Sequence, residues 1–190
     1  MTTLLTAVND QLAEQDLSIK TNAFSIIDAS LFEAKQCRPH KREDSITTQD
    51  TNGSWNIKAG SDGKQKSTHG YNTHINVDEE ELIKALAFTV GNVHDSNHFT
   101  TPLKSNESAV YVDKPYQSEP HTDWLSERNI ENRLIKYAYR NRPLSQENKV
   151  LNQTHTAVRS NVGRVFGVLK QHSAIGKKPI ILTYDEIVTV

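Results

Sequence analysis

The fold available to this chain is constrained most by the order in which its apolar periodicities change. Strand-like segments fill residues 24 to 116, short helical segments interrupt them, and a long helical spacing takes over only after residue 145. Residues 3–17 set Leu4, Leu5, Val8, Leu12 and Leu17 near helical spacing around Asn9, Asp10, Gln11 and Glu14, which predicts a short amphipathic helix. Over residues 24–29, Phe24, Ile26 and Asp28 alternate with Ser25, Ile27 and Ala29. That alternation predicts a strand ending at Asp28, its carboxylate on a defined face. Residues 54–60, with Trp55, Ile57 and Ala59 on one side, 70–78 and 82–90 read as an antiparallel meander. A buried strand ending at Asp113 is expected within 108–116, and a final strand over 132–140. Short helices are predicted at 94–104 and 121–128. A long helix is predicted from about 146 to 171, where Val158, Val162, Val165, Phe166 and Leu169 share a face. Residues 38–53 carry no apolar period and read as a long loop. This outline predicts an α+β domain with a mixed sheet.

A chain of 190 residues suits one domain and can bury a normal core without covalent staples. The single cysteine, Cys37, excludes a disulfide framework and fits a reducing compartment. No apolar run approaches the roughly 20 residues that cross a bilayer. The opening MTTLLTAVND lacks a basic n-region and carries Asp10 early, unlike a signal peptide. The expectation is a cytoplasmic protein with no membrane partner. Charge is unevenly spread. Residues 1–127 hold 11 Lys/Arg against 19 Asp/Glu, whereas residues 128–178 hold 11 Lys/Arg against Glu131 and Glu147 alone. A segment of net charge +9 is what a phosphate backbone attracts, although a solvated basic surface has the same composition.

Asp28 and Asp113 each follow an apolar strand. On neighbouring strands their carboxylates would converge at one sheet edge and repel unless a cation lay between them. Mg²⁺ suits such oxygen ligands, and two ions about 4 Å apart clamp the attacking and leaving oxygens of a phosphoryl transfer. Taken singly, each aspartate reads equally as a strand-end cap or a turn former.

The stretches IDASLFEAKQCRPHKRED, SWNIKAGSDGK, GYNTHINVDEE, ALAFTVGNVHDS, VYVDKPY, WLSERNIENR, AYRNRPLS and VFGVLKQH occur in this order. They resemble bacterial insertion-sequence transposases of the DDE type, from about residue 4 to about residue 177. The resemblance implies an RNase H-like α+β domain, a mixed sheet flanked by helices. It implies DNA transposition: metal-dependent hydrolysis at the ends of a transposable element, then strand transfer of the 3′ hydroxyl to target DNA. Asp28 in IDAS and Asp113 in VDKPY match the first two catalytic, metal-binding acids, with Mg²⁺ or Mn²⁺ as cofactor. The third acid of the family is a Glu inside Y-x2-R-x3-E-x6-K. Arg159 and Lys170 match the basic positions of that pattern and are expected to contact DNA near the scissile phosphate. The expected partners are DNA, both element ends and target, and a second copy in a homodimer.

This sequence departs from the pattern at decisive points. Thr156 takes the tyrosine position and Gly163 the glutamate position. Pro115 stands where a small residue is usual, and Asn72 where a lysine is common. After Lys178 the tail PIILTYDEIVTV no longer resembles the family. The expected organisation is an incomplete DDE catalytic domain over 1–178, without the upstream recognition region, and a divergent tail over 179–190. Asp185 and Glu186 lie too far beyond position 163 to replace the missing acid. Asp95 is expected to cap the helix after it. Two functions follow: transposition by an impaired truncated copy, or a non-catalytic DNA-binding protein, either a harmless remnant or an inhibitor of intact copies. Residue 163 discriminates between them and favours the second. A simple nuclease would need another acid on the late helix.

His94 and His98, four apart, suit a zinc pair in spacing, but no Glu lies between them and no third ligand is suggested. In GNVHDS, the resemblance implies that His94 and Asp95 organise the sheet edge near the active site. Trp55 and Trp124 are expected in the core.

Overall fold

The computed structural model describes residues 2–15, 24–34, 49–60 and 62–171. Cys37, most of the 38–53 loop and the 179–190 tail with Asp185 and Glu186 lie outside the described residues. The elements run α1 (Thr2–Glu14), β1 (Ser25–Glu33), β2 (Ser54–Ala59), β3 (Gln65–Val77), β4 (Ile83–Val90), β5 (Ala109–Tyr111), α2 (Glu119–Glu127), β6 (Glu131–Asn132), α3 (Gln146–Arg159) and α4 (Asn161–Gln171). One mixed sheet has the strand order β2-β3-β1-β5-β6, with β4 also paired to β3. This six-stranded sheet with its helices is the α+β, RNase H-like architecture that the sequence predicts. By internal packing the chain divides into two compact units. The first comprises Met1–Ala29, His74–Ala87 and Asp95–Val165, the second Ser30–Thr73, Phe88–His94 and Phe166–Val190.

In the first unit β1 and β5 pair in parallel, Ser25 opposite Val110 and Ile26 opposite Tyr111. β5 and β6 are parallel too, and parallel neighbours need a crossover. Helix α2 supplies it, started by Ser118, whose hydroxyl accepts from the His121 N–H at 3.3 Å. The core gathers Ile27, Phe99, Val110, Val112, Tyr116, Leu125, Ile130 and Leu134. Each fully buried aliphatic side chain contributes about 1.5–3 kcal/mol. Trp124 packs against this core as expected but is only partly buried, and the Arg128 guanidinium lies 4.2 Å from its ring centre.

The second unit pairs β2 with β3 antiparallel, from Ser54–Gly70 to Ala59–Gln65. Gly70 is required there: a Cβ would stand 2.0 Å from the Phe32 carbonyl oxygen. Tyr71 is fully buried and donates its hydroxyl to Asp50 at 2.6 Å. Trp55 is not core. It is 48 % exposed and Ile57 is 63 % exposed, because the face that alternation assigns to them is the uncovered face of β2.

Four local expectations are corrected. β1 continues to Glu33, so Asp28 lies within the strand and not at its end. The helix at 94–104 shrinks to a 3₁₀ turn, Asp95–His98. The strand over 132–140 is confined to Glu131–Asn132. Backbone bonds to Ser108, Val110 and Val112 carry the pairing as far as Ile135. Past that point the Lys136 and Tyr137 amides donate to the side chains of Asn152 and Gln117, which ends the ladder. The long helix over 146–171 breaks at Ser160, whose hydroxyl donates to the Ala157 carbonyl at 2.7 Å, a local bond that competes with helix continuation.

Candidate functional site

Pairing of β1 with β5 brings the two predicted aspartates together. Asp28 lies two residues beyond Ile26 on β1, and Asp113 two beyond Tyr111, each past a paired position of the parallel register. The carboxylates are used alike. Asp28 Oδ1 accepts the Ala29 N–H at 2.9 Å, and Asp113 Oδ1 accepts the Lys114 N–H at 2.8 Å. Asp113 thereby caps a 3₁₀ turn over Lys114–Tyr116. The remaining oxygens meet at Arg159. Its Nη2 stands 3.1 Å from Asp28 Oδ2 and 3.3 Å from Asp113 Oδ2. One guanidinium nitrogen therefore joins both acids.

Burial pushes the Asp28 carboxyl above the usual range. Arg159 and the Ala29 N–H pull it back, while Asp113 and Asp95 push it further up. Asp95 is thus an electrostatic neighbour of the pair, as well as opening its own 3₁₀ turn. Tyr116 is a further resident that periodicity does not single out. Its hydroxyl is buried and has no hydrogen-bond partner among the described residues. Burial raises its phenol strongly, with Asp95, Asp28 and Asp113 adding to the rise. The one available sequence signal is its place three residues after Asp113 within VDKPY.

Gly163 follows Arg159 by four residues, in the first turn of α4. A Cβ at position 163 would meet no atom within 4 Å, so the position has room for a side chain and carries none. Among the described residues no group of three or more His, Cys, Asp or Glu could hold a metal ion. The fit to a divalent cation is therefore incomplete: two carboxylates converge, but a two-cation arrangement needs a further acid that these residues do not supply. His98 is buried against Thr101, 3.2 Å from its hydroxyl, with its ring 5.2 Å from that of His74.

Lys170, in the second unit, donates to Ser30 Oγ at 2.5 Å and lies 5.0 Å from the Phe32 ring centre. Burial lowers its ammonium, and Lys58 lowers it further. Four of the eleven basic residues that the sequence concentrates after residue 127 face acids in space. Arg128 pairs with Glu127, Arg133 with Glu131, Arg159 with both aspartates and Arg164 with Glu81. Beside Asp113, an open groove of about 420 Å³ is lined by Lys114, Ile135, Asn152, Gln153, Thr156 and Ala157.

The family described as "Transposase DDE domain" matches residues 20–180. The chain is also 27 % identical over 178 residues to the transposase for insertion sequence element IS1106 of Neisseria meningitidis serogroup B. That alignment covers 87 % of this chain and 60 % of the relative, so the chain spans about three fifths of the relative's length. No solved structure matches the chain. No described helix is long and apolar enough to cross a membrane.

Proposed function

The chain belongs to the transposases with a DDE domain, and from that premise we propose that it acts in DNA transposition as a DNA-binding copy impaired in cleavage and strand transfer. Its reaction class is the metal-dependent hydrolysis of a phosphodiester at an element end, followed by attack of the freed 3′ hydroxyl on target DNA. Asp28 and Asp113 are the acids assigned to Mg²⁺ or Mn²⁺, and Arg159 and Lys170 the cations assigned to DNA.

One observation carries the impairment. The two acids converge on Arg159 while position 163, four residues on, offers no carboxylate. Two-metal phosphoryl transfer depends on a fixed set of ligands, and a two-acid set cannot hold both ions in that geometry. The same observation favours a second reading, in which the chain binds DNA and inhibits intact copies without chemistry of its own.

The test is incubation of the purified chain, with Mg²⁺ or Mn²⁺, on DNA carrying the ends of its element. Neither nicking nor joining is expected. Gly163→Glu supplies the third carboxylate in open space and should tighten divalent-cation binding. Cleavage by the unaltered chain that Asp28→Ala abolishes would show a working enzyme and overturn this reading.

A further inference from the structure

Two carboxylates that share a site need a cation between them or one must take up a proton. Here the cation is a side chain of the protein. Arg159 Nη2 contacts the Oδ2 atoms of both Asp28 and Asp113. The Oδ1 atoms are already engaged by the backbone N–H groups of Ala29 and Lys114. An ion that bridges the two Oδ2 atoms must displace the guanidinium that joins them.

The bridge is a modest one. A single nitrogen serves both acids in place of the parallel two-bond fork that makes arginine–carboxylate pairs strong. The Nε of the same guanidinium is buried without a hydrogen-bond partner among the described residues. The side chains of Arg159 and Asp28 are 22 % exposed and that of Asp113 is 38 % exposed, so solutes can reach them. Arg159 is the last residue of α3, and Asn152, Gln153, Thr156 and Ala157 of that helix line the open groove beside Lys114. A phosphodiester in that groove would offer the guanidinium a two-oxygen partner of the geometry that the aspartate bridge lacks.

We infer that Arg159 is the resident counter-ion of the Asp28–Asp113 pair, so that divalent cation and guanidinium compete for the same oxygens and a phosphodiester that draws Arg159 away admits the cation. The inference rests on the proposed DNA-directed function. It adds an order of events to it: DNA first, cation second. Linkage makes the effect reciprocal, so the cation must strengthen DNA binding by the factor by which DNA strengthens cation binding.

The experiment is calorimetric titration of Mn²⁺ into the full chain, Arg159→Ala and Arg159→Ala/Asp28→Asn. Each is titrated with and without a short random-sequence duplex, and binding to the duplex alone is subtracted. Removing a positive charge a few ångströms from the site should tighten Mn²⁺ binding about tenfold or more, and Asp28→Asn should abolish that gain. The duplex should tighten Mn²⁺ binding to the unaltered chain and leave Arg159→Ala unchanged. If Arg159→Ala fails to fold, Arg159→Gln keeps the length and a donor without the charge and carries the same comparison. Equal Mn²⁺ affinity with and without the Arg159 charge, at a site that Asp28→Asn removes, would overturn the competition and leave the metal assignment standing. Absence of any Asp28-dependent binding would overturn both.

Discussion

Asp28 Oδ2 and Arg159 Nη2 lie 3.1 Å apart although 131 residues separate them in the chain. The contact ties β1 to the end of α3. It is half-buried and charge-assisted, so it exceeds an ordinary surface pair. A double-mutant cycle of Asp28→Asn and Arg159→Gln, read by urea denaturation, should give a coupling of about 1–2 kcal/mol. A coupling near zero would mean that the two groups do not hold each other in solution.

The glycines divide into two kinds. Gly70→Ala should destabilise the protein by about 3 kcal/mol or more, because the new Cβ would meet the Phe32 carbonyl oxygen at 2.0 Å. Gly163→Ala and Gly167→Ala meet nothing within 4 Å and should each stabilise, by up to about 1 kcal/mol. Thermal melts of the three variants separate these cases, and a tolerated Gly70→Ala would contradict the packing of β3 described here.

His74 is fully buried. Burial, and then His98 nearby, lower its imidazole from 6.5 to about 4. The unfolded chain therefore binds this proton at a higher pH than the folded one does. The associated stability is complete above pH 6.5 and is lost as pH falls towards about 4. By linkage the loss is on the order of 3 kcal/mol. Comparing the pH dependence of the unfolding midpoint in the unaltered chain and in His74→Gln isolates it. Parallel profiles would remove His74 as the cause.

Binding to non-specific duplex DNA should weaken steeply as salt rises. Arg159→Ala and Lys170→Ala should each reduce the slope of log affinity against log salt by about 1 if the side chain neutralises a phosphate. Because Arg159, Arg164, Arg133 and Arg128 already face acids, the total slope should fall short of what a net charge of +9 suggests. A filter-binding series at several salt concentrations reads both quantities, and salt-independent binding would count against phosphate contacts altogether.

The sheet is largely legible in the sequence because β2, β3 and β4 carry strand-like apolar patterns between turn residues. Trp55 shows the limit of that signal. Alternation sorts residues into two faces without saying which face is covered, and here the aromatic side is the open one. The strand expected over 132–140 fails for a related reason. Leu134 and Ile135 are adjacent and both buried, which breaks strict alternation, and the segment's later amides find side-chain partners. At the site, the two aspartates are legible from the strands that carry them. The Arg159 bridge is not, since no local pattern encodes a contact across the chain. Tyr116 is hidden for the same reason: acids that act on its phenol, Asp95 and Asp28, come from distant parts of the chain.

Asp28 and Asp113 differ in stiffness. β1 runs on for five residues beyond Asp28 and lies between β3 and β5, so that carboxylate stands on a clamped beam. Asp113 stands on the cap of a single 3₁₀ turn, a hinge by comparison. The Asp113 side is therefore expected to yield more readily than the Asp28 side. Hydrogen exchange should register the inequality, with the Ala29 amide slow and the Lys114 amide fast.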